Sequence, residues 1–215
     1  MEIEANKMRW LLLGASGNLG REILKINSNF LTPSSRELNI SEYRVAMSYM
    51  THHRDLNLII NCAAFTDTIA AESDPGSCFA VNTCGPLNIL RLKPKNCRFV
   101  HISTDYVFDG EEGPYSVDDK INPISNYARS KAAAEMVVRS FPNTLIIRTS
   151  FLPKEFPHPA AFEDQWTSKD FVDKIAPMVL KEALSEKTGI VHVGMSRRTV
   201  YDVASKRVNN LKKIK

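Results

Sequence analysis

The chain has 215 residues, a length that suits one sizeable domain with at most a small appendage. With 43% hydrophobic and 24% charged residues, its composition is that of a globular protein and excludes a fibrous or low-complexity chain. The net charge of +4 comes largely from the C-terminal stretch "SKRVNNLKKIK", in which no aromatic residues accompany the basic ones. This pattern favours a solvated terminal helix over a nucleic-acid-binding patch, so we expect no nucleic-acid partner.

The cysteines and the N-terminus bear on the cellular location. The four cysteines form no CxxC pair and no cluster with histidines, so we expect buried free thiols, as in a reducing cytosol, and no metal site. They are Cys62, Cys78, Cys84 and Cys97. The opening "MEIEANKMRW" lacks the apolar core of a signal peptide, and no apolar run is long enough to span a bilayer. We therefore predict a cytoplasmic protein with no membrane partner.

Short apolar runs alternate with helical patterns from the start of the chain. "MRWLLLGA" predicts a buried strand, followed by a helix over about Asn18–Ile26. "NSNFLTPSS" predicts a weak second strand, and "SEYRVAMSYMTHH" a helix with Ser41 as its N-cap. "LNLIINCAA" predicts a third strand. The following "DPGSCFAVNTCGPLNILRL" predicts a helix capped by Asp74, with Pro75 in its first turn.

The alternation continues to residue 151 and then breaks. "CRFVHIST" predicts a fourth strand, "SNYARSKAAAEMVVRSF" a long helix, and "NTLIIRTSF" a fifth strand. Beyond it, the Pro-rich "FLPKEFPHPAAFEDQW" precedes a helix over about residues 168–184, a short strand "GIVHVG" and a last helix from about residue 199.

Continuously apolar strands that alternate with helices predict an α/β fold, a doubly wound parallel sheet covered on both faces. Ligands of such sheets lie beyond the carboxyl ends of the strands. We expect residues 1–151 to form the sheet domain. Residues 152–215 are too few for a core of their own, so we expect them to form a small substrate-binding cap against the sheet.

A glycine-rich turn follows the first predicted strand. "LLLGASGNLG" places Gly14, Gly17 and Gly20 where a turn must be tight, where the backbone must approach a pyrophosphate, and where the helix must pack closely on the strand. The pyrophosphate would rest on the helix N-terminus. The spacing differs from the common G-x-G-x-x-G, but its place in a βαβ unit favours dinucleotide binding over a plain strand–helix turn.

The cofactor type depends on the end of the second strand. An acidic residue there would hold a ribose 2′-hydroxyl and favour NAD. In "TPSSRELNIS", Ser34, Ser35 and Arg36 precede any acid, and an arginine can pair with a 2′-phosphate. We therefore predict NADPH, with Arg36 as an ordinary surface residue as the alternative.

Two further stretches suggest catalysis. "HISTDYVFDG" places Ser103, Thr104 and Asp105 at the carboxyl end of the fourth strand, and "NYARSK" places Tyr127 and Lys131 four apart on one helix face. A tyrosine with a pKa near 10 is a poor catalyst at neutral pH, and a lysine ammonium beside it, with the positive nicotinamide of an oxidised cofactor, favours the phenolate. The Thr104 hydroxyl would hold a substrate carbonyl.

These motifs carry a family resemblance over residues 8–151. "GASGNLG", "NCAAFT", "AVNTCGPLNIL", "STDYVFDG" and "YARSK", in this order, resemble the extended short-chain dehydrogenase/reductases. "STDYVFDG", "NYARSKAAAE" and "IIRTSF" are most similar to the dTDP-4-dehydrorhamnose reductase family. The resemblance implies a Rossmann-type fold, NADPH, and reduction of a 4-keto-6-deoxy nucleotide sugar in carbohydrate biosynthesis. It implies a nucleotide-sugar partner, and we leave a homodimer open.

The resemblance also implies residue roles. Thr104 matches the hydroxyl partner of the substrate, Tyr127 the proton donor, and Lys131 the lysine that activates it and holds the nicotinamide ribose. Other positions match cofactor contacts: Gly14, Ser16, Gly17, Asn18, Leu19, Ala63, Ala64, Thr66, Asn82 and Ser103. Three match the substrate pocket: Asp105, Tyr106 and Phe151, with a turn-capping role as the alternative for Asp105.

Some positions depart from the family pattern. The C-terminal third is shorter, and Trp166 and Lys169 replace small or proline residues, while Arg197 or Arg198 would meet a diphosphate.

Two rival functions stay open: a non-catalytic NADP-binding regulator resembling the regulatory subunit of methionine adenosyltransferase, and a reductase of a smaller ketone. Of the histidines, His101 is expected to be a satisfied core residue, and His158 lies in the Pro-rich loop near the presumed cleft.

Overall fold

The computed structural model describes residues 9–215. Residues 1–8 lie outside the described residues. They include the first residue of the predicted opening strand and most of the segment for which we predict no signal peptide. In chain order the strands are β1 (Trp10–Leu13), β2 (Leu58–Asn61), β3 (Arg98–Ser103), β4 (Thr144–Thr149), β5 (Phe151–Leu152), β6 (Ala160–Phe162), β7 (Trp166–Thr167), β8 (Asp170–Phe171), β9 (Gly189–Val193), β10 (Arg198–Thr199) and β11 (Lys212–Ile214). The helices are α1 (Asn18–Ile26), α2 (Tyr43–Thr51), α3 (Thr68–Ser73), α4 (Pro75–Phe79), α5 (Gly85–Leu92), α6 (Asn126–Arg139), α7 (Val172–Ala183) and α8 (Val200–Ala204).

Five strands form one parallel sheet in the spatial order β1-β2-β3-β4-β9. In register, Leu12 lies beside Ile60 and Ile60 beside Val100. The central strands β2 and β4 are buried along their whole length, as expected when helices cover both faces of a parallel sheet. The predicted α/β, doubly wound, Rossmann-type fold class is confirmed.

Alternate strand residues point to opposite faces and build two cores. On one face, Leu12 and Ile60 pack with residues of α1 and α7. On the other face, Leu11 and Ile59 pack with residues of α2, α5 and α6. The helix α7 and the strand β9, both from the part of the chain beyond residue 151, therefore belong to the layers of the main sheet.

The predicted second strand is reduced to one bridging residue. Leu31 accepts a hydrogen bond from Leu12 N (2.9 Å) and donates one to Trp10 O (2.7 Å), beside β1. Pro33 follows and has no N–H to continue a ladder, and a turn begins at Ser34. The chain then returns through α2 to β2 on the other side of β1. This reversal of direction is the switch point at which doubly wound sheets bind ligands.

Local capping explains where several helices begin. The Asp74 carboxylate accepts from Ser77 N (3.0 Å) and caps α4, as predicted, and the Ser125 hydroxyl accepts from Ala128 N (3.1 Å) and caps α6. The Ser41 cap was predicted wrongly: Glu42 is the N-cap residue of α2, and the Ser41 hydroxyl donates to Asn39 instead (2.7 Å).

The predicted single helix after Asp74 is divided. Between α4 and α5 the backbone forms a π-helical turn, Ala80–Cys84. Pro86 in the first turn of α5 has no N–H to donate back along the helix, so a regular α-helical ladder cannot run through this point.

The C-terminal elements differ from expectation in two places. Helix α7 begins at Val172, after the short strand β8, and not near residue 168. The basic tail is not a terminal helix, because α8 ends at Ala204 and β11 pairs in parallel with β6. Leu211 is buried against Ala161 and Ala204, and this contact ties the tail to the protein.

The cysteines also differ partly from expectation. Cys78 and Cys97 are buried, Cys62 is half-buried and Cys84 is exposed on the π-helical turn. Within residues 9–215, no group of three or more histidine, cysteine or acidic side chains is arranged to hold a metal ion. Over the same residues, no helix combines the length and apolar character needed to cross a membrane.

Candidate active site

The carboxyl ends of the central strands open into one cleft of about 580 Å³. Its walls come from the turn after β1, the loop after β2, the ends of β3 and β4, and the first turns of α6. Most of the predicted site residues line it: Gly14, Ser16, Gly17, Asn18, Leu19, Ala63, Ala64, Thr66, Ser103, Thr104, Tyr106, Tyr127, Lys131 and Phe151. Three predicted site residues are not among its lining: Arg36, Asn82 and Asp105.

The glycine turn brings two backbone segments into close approach. Gly14 has a φ of +74°, and a Cβ on it would lie 2.5 Å from Ala63 N. A Cβ on Gly20 would lie 2.4 Å from Gly14 O. Gly17 is the N-cap of α1 and offers no side-chain cap, and the first turn of α1 carries no acidic residue. The free N–H groups of this helix end therefore suit a phosphate.

An alanine at position 14 tests this turn. We expect Gly14→Ala to weaken NADPH binding by more than about tenfold, because the added Cβ forces the glycine turn away from Ala63. The matched control is Gly110→Ala, since Gly110 has a similar φ of +88° but no atom within 4 Å of an added Cβ. The control should lose about 1 kcal/mol of stability through backbone strain and keep its NADPH affinity. Fluorescence titration with NADPH measures the affinity of each variant for the cofactor. Equal affinities in the two variants would contradict the role of the turn.

The loop between the Leu31 bridge and α2 forms another part of the wall. Ser35 and Asn39 line the cleft, whereas the neighbouring Arg36 is exposed and outside the lining. Glu37 accepts hydrogen bonds from Ser34 N and Oγ, both 2.8 Å, and these bonds hold the turn that carries Arg36.

Asn82 lies behind the cleft. It is fully buried, and its side-chain amide accepts from Phe65 N (2.8 Å) and donates to Phe65 O (3.0 Å). A further bond joins it to Ser130 on α6 (2.9 Å). Asn82 thus holds the loop that contains Ala63, Ala64 and Thr66.

Tyr127 sits in the first turn of α6, just after the Ser125 cap. Its ring meets the ring of Tyr106 edge-on, with 6.2 Å between the centroids. Burial, followed by the proximity of Tyr106 and of the Asp105 carboxylate, raises the pKa of Tyr127 to about 12, although an interaction with the Thr104 hydroxyl lowers it. In the ligand-free protein this direction is opposite to the lowering that we predict for Tyr127 beside Lys131 and an oxidised nicotinamide, and the effect of the cofactor stays a prediction.

The Lys131 amine does not offset this rise, because the Lys131 side chain is directed at β3. Lys131 is almost fully buried, and its amine donates to Ile102 O (2.7 Å) on β3. Burial lowers the pKa of Lys131 to about 8, although Glu135 acts in the opposite direction. The amine is therefore directed at the strand and is much less basic than an ordinary lysine.

Thr104 and Asp105 form a polar corner at the end of β3. The Thr104 hydroxyl accepts from Tyr106 N (3.2 Å) and so caps the short 3₁₀ turn Asp105–Val107. The Asp105 carboxylate accepts from the Ser150 hydroxyl, and Thr104 Oγ1 is 3.3 Å from the same carboxylate. Ser150, which directly follows β4, thus holds the Asp105 side chain, while Thr104 lines the cleft.

Several lining residues were missed by the sequence reasoning. Lys169 donates to the Tyr106 hydroxyl (3.1 Å) and lies 4.6 Å from the centroid of its ring. The Thr149 hydroxyl is buried and has no hydrogen-bond partner among residues 9–215, so it is free to bind a ligand in the cleft it lines. The position of Thr149 and Ser150, directly before Phe151 at a strand end, was the available signal.

Three positions considered from sequence lie elsewhere. Arg198 pairs with Asp170 (2.9 Å), and Arg197 lies over the ring of Trp166 at 4.6 Å. His158 is exposed and packs edge-on against Phe156. None of these side chains lines the cleft.

Comparisons with known proteins agree with this geometry. The dTDP-4-dehydrorhamnose reductase of Mycobacterium tuberculosis is 35% identical over 155 residues, which is 67% of this chain and 50% of that protein. The dTDP-4-keto-6-deoxy-D-glucose reductase of Streptomyces niveus is 28% identical over 222 residues, 91% of this chain and 76% of that protein. The chain thus spans about half the length of the Mycobacterium relative that it matches.

Solved structures show the same fold. The structure of dTDP-4-dehydrorhamnose reductase from Bacillus anthracis in complex with NADP has a TM-score of 0.85 at 24% identity, over 98% of this chain and 85% of that one. A hypothetical dTDP-4-dehydrorhamnose reductase from Sulfolobus tokodaii has a TM-score of 0.83 at 30% identity, over 96% and 86%. The family model described as "RmlD substrate binding domain" matches residues 8–162. The chain therefore belongs to the RmlD substrate binding domain family, as the resemblance of its motifs to the dTDP-4-dehydrorhamnose reductases predicted.

Proposed function

We propose that the protein is an NADPH-dependent reductase of a 4-keto-6-deoxy nucleotide sugar. The observation that carries the proposal is the single cleft in which the glycine turn meets Thr104, Tyr127 and Lys131. A phosphate-binding turn and a proton donor that share a cleft are what hydride transfer to a ketone requires. The two relatives described above, from Mycobacterium tuberculosis and Streptomyces niveus, bear the names of reductases of this class.

The cleft suits a dinucleotide in two respects. The N-terminus of α1 has unoccupied N–H groups beside glycines that leave no room for a side chain, and the buried Thr149 hydroxyl lacks a partner among residues 9–215. We assign the diphosphate to the turn from Gly14 to Leu19 and the nicotinamide end to the region of Ser103 and Lys131. When bound, NADPH supplies a hydride for the ketone carbon.

The chain itself supplies the proton and the orientation. Tyr127 carries a proton at neutral pH that it can donate to the ketone oxygen as charge develops there, although its pKa of about 12 in the ligand-free cleft lies well above the range in which a general acid works best. The Thr104 hydroxyl is placed by its bond from Tyr106 N, and its single O–H can turn from Asp105 (3.3 Å) to donate to the same oxygen. Lys131 places a titratable amine one helical turn from Tyr127.

The substrate side is assigned to the parts of residues 152–215 outside α7 and β9, together with Tyr106 and Phe151. Lys169 comes from this segment and meets Tyr106 at the cleft. The half-buried side chain of Lys169 lines the cleft, and a lysine there is suited to an anionic group of a nucleotide sugar, such as its diphosphate. A homodimer and a cytoplasmic location stay predictions.

We further propose that Arg36 makes the protein prefer NADPH. Arg36 is exposed beside Ser35, which lines the cleft, so its guanidinium is free to pair with a 2′-phosphate. Arg36→Ala should weaken NADPH binding by roughly tenfold and leave NADH binding unchanged, since a charge-assisted bond is lost only with the phosphate. Arg129→Ala, an exposed arginine on α6, is the control. Equal losses for both cofactors would contradict the assignment.

The substrate class is tested by following NADPH oxidation with a panel of 4-keto nucleotide sugars and smaller ketones. Turnover of a nucleotide sugar supports the proposal. Turnover of small ketones alone would favour the smaller-substrate alternative. Tight NADPH binding without turnover of any ketone would favour a cofactor-binding regulator and refute the reductase proposal.

A further inference from the structure

A line of buried polar groups runs behind the cleft from the loop after β2 to Lys131. Asn61, His101 and Lys131 are 1%, 0% and 2% exposed. Asn61 Oδ1 accepts from Ala63 N (3.2 Å), Asn61 Nδ2 is 3.1 Å from His101 Nδ1, and His101 Nε2 is 3.2 Å from Lys131 Nζ. Ala63 itself lines the cleft.

The direction of each hydrogen bond follows from the first one. A backbone N–H can only donate, so it fixes the Asn61 amide with its oxygen towards Ala63 and its NH₂ towards His101. His101 Nδ1 must then accept. A neutral imidazole has one donor and one acceptor, so its proton lies on Nε2 and points at Lys131.

His101 cannot accept hydrogen bonds at both ring nitrogens, from Asn61 at Nδ1 and from Lys131 at Nε2. Burial, and next the neighbouring Lys131, lower the pKa of His101 well below its usual range, so the ring is neutral. For Nε2 to accept from an ammonium, the proton must move to Nδ1 and the Asn61 amide must rotate by half a turn. The rotated amide would place its NH₂ against the N–H of Ala63, so that two donors face each other and a buried hydrogen bond is lost.

Lys131 can satisfy this arrangement only as a neutral amine. In that form it accepts from His101 Nε2 and donates to Ile102 O (2.7 Å). An ammonium in the same place would have an N–H opposed to the imidazole N–H. The geometry therefore favours the uncharged lysine independently of burial.

The other charged and titratable groups around Lys131 do not reverse this preference. Glu135 on the same helix favours the ammonium, but Arg148 neutralises its carboxylate (2.8 Å). Cys62 and Cys78 also face the amine, and burial raises the pKa of Cys62 to about 12, so that this thiol carries no charge at neutral pH. Tyr127, towards the cleft, keeps its proton as well.

We propose that His101, oriented by Asn61, is a positioning residue that stabilises the neutral form of the Lys131 amine relative to the ammonium in the ligand-free cleft and so sets the pH at which the cleft gains a positive charge. Its meaning for catalysis rests on the proposed reductase function, but the charge state of Lys131 does not. The proposal can therefore be tested without substrate or cofactor.

The test follows the titration of Lys131 by NMR in ligand-free protein that carries isotope-labelled lysine, with the signal assigned by its loss in Lys131→Arg. In the wild type, the pKa should be about 8. Asn61→Asp accepts from both Ala63 N and His101 Nδ1, which turns Nε2 into an acceptor, and we expect the pKa of Lys131 to rise by about 1 to 2. His101→Gln is the comparison of similar shape: its amide oxygen can accept from the Asn61 NH₂ while its own NH₂ faces Lys131, as the imidazole N–H does, so the pKa of Lys131 should change little.

Two controls separate this role from general disturbance of the core. Cys62→Ala removes another group that faces the amine and should leave the titration of Lys131 nearly unchanged. If Asn61→Asp does not fold, His101→Leu decides the question, because it removes the N–H that opposes the ammonium and should raise the pKa of Lys131. Adding Asn61→Asp to His101→Leu is compared with His101→Leu alone, and a further rise as large as that in the single Asn61→Asp variant would show a direct effect of the new carboxylate and overturn the proposal. An unchanged titration in a folded Asn61→Asp protein would overturn it as well.

The pH dependence of unfolding gives a second reading. Because the pKa of Lys131 is about 8 when folded and 10.5 is its ordinary value, the unfolded chain binds more protons between these values. The contribution of Lys131 to stability therefore rises with pH across this window. In Asn61→Asp the rise should be smaller and begin at higher pH, and an identical profile in wild type and Asn61→Asp would contradict the proposal.

Discussion

Replacing Tyr127 with phenylalanine should lower the rate of ketone reduction by about 10²- to 10⁴-fold, the usual contribution of a general acid. Phenylalanine keeps the ring against Tyr106 and removes only the hydroxyl. Folding and NADPH binding should therefore be little changed. The loss of rate is measured by following NADPH oxidation, in stopped-flow or steady-state experiments, with a 4-keto nucleotide sugar that the wild type reduces.

The matched control for this prediction is Tyr49→Phe. Tyr49 lies on α2, away from the cleft, where its ring stacks on His53 with 4.1 Å between centroids. The same chemical change there should leave turnover unaffected. Full activity in Tyr127→Phe would show that another group donates the proton and would remove Tyr127 from the mechanism.

Replacing Arg148 with methionine should lower the free energy of unfolding by about 3–5 kcal/mol. Arg148 and Glu135 form a buried pair with side chains 4% and 3% exposed, and the guanidinium donates to both carboxylate oxygens (3.0 and 2.8 Å). The Ser103 hydroxyl also donates to Glu135 (2.6 Å). Without Arg148 the carboxylate stays buried without its cation, and the end of β3 loses a support next to Thr104.

Urea denaturation of the variants measures this effect. Glu135→Leu in the Arg148→Met background should recover much of the loss, because an apolar pair of similar volume replaces the ion pair. As a control, Lys187→Met removes an exposed partner of Glu182 and should cost less than about 1 kcal/mol. A loss at Arg148 no larger than at Lys187 would show that the buried pair contributes little.

Much of the candidate site could be predicted from the sequence, because its signals are local. The glycine turn, the Asp74 cap with Pro75, and the spacing of Tyr127 and Lys131 each depend on residues within one or two turns of chain. Such interactions keep their geometry in any fold that contains the element. Accordingly, α1 has the predicted bounds, α4 begins at its predicted cap, and Tyr127 and Lys131 both line the cleft.

The errors in the fold share one cause, which is competition from distant contacts. The second strand was reduced to Leu31 because its pairing with β1 ends where Pro33 and the turn begin. The basic tail became β11 because Leu211 found an apolar site beside Ala161, about fifty residues earlier in the chain. Secondary-structure propensity depends on local sequence and carries no information about such distant contacts.

The sequence by itself determined the doubly wound sheet, the place of the cleft and most of the side chains that line it, since periodicity and turn chemistry act over short distances. Only the tertiary structure decided the charge state of those side chains. His101 was expected to be no more than a core residue, yet Asn61 and Lys131, each at least 30 positions away along the chain, give its proton a direction. Burial and the orientation of neighbouring donors set the pKa of a group, and both exist only once distant segments have packed together.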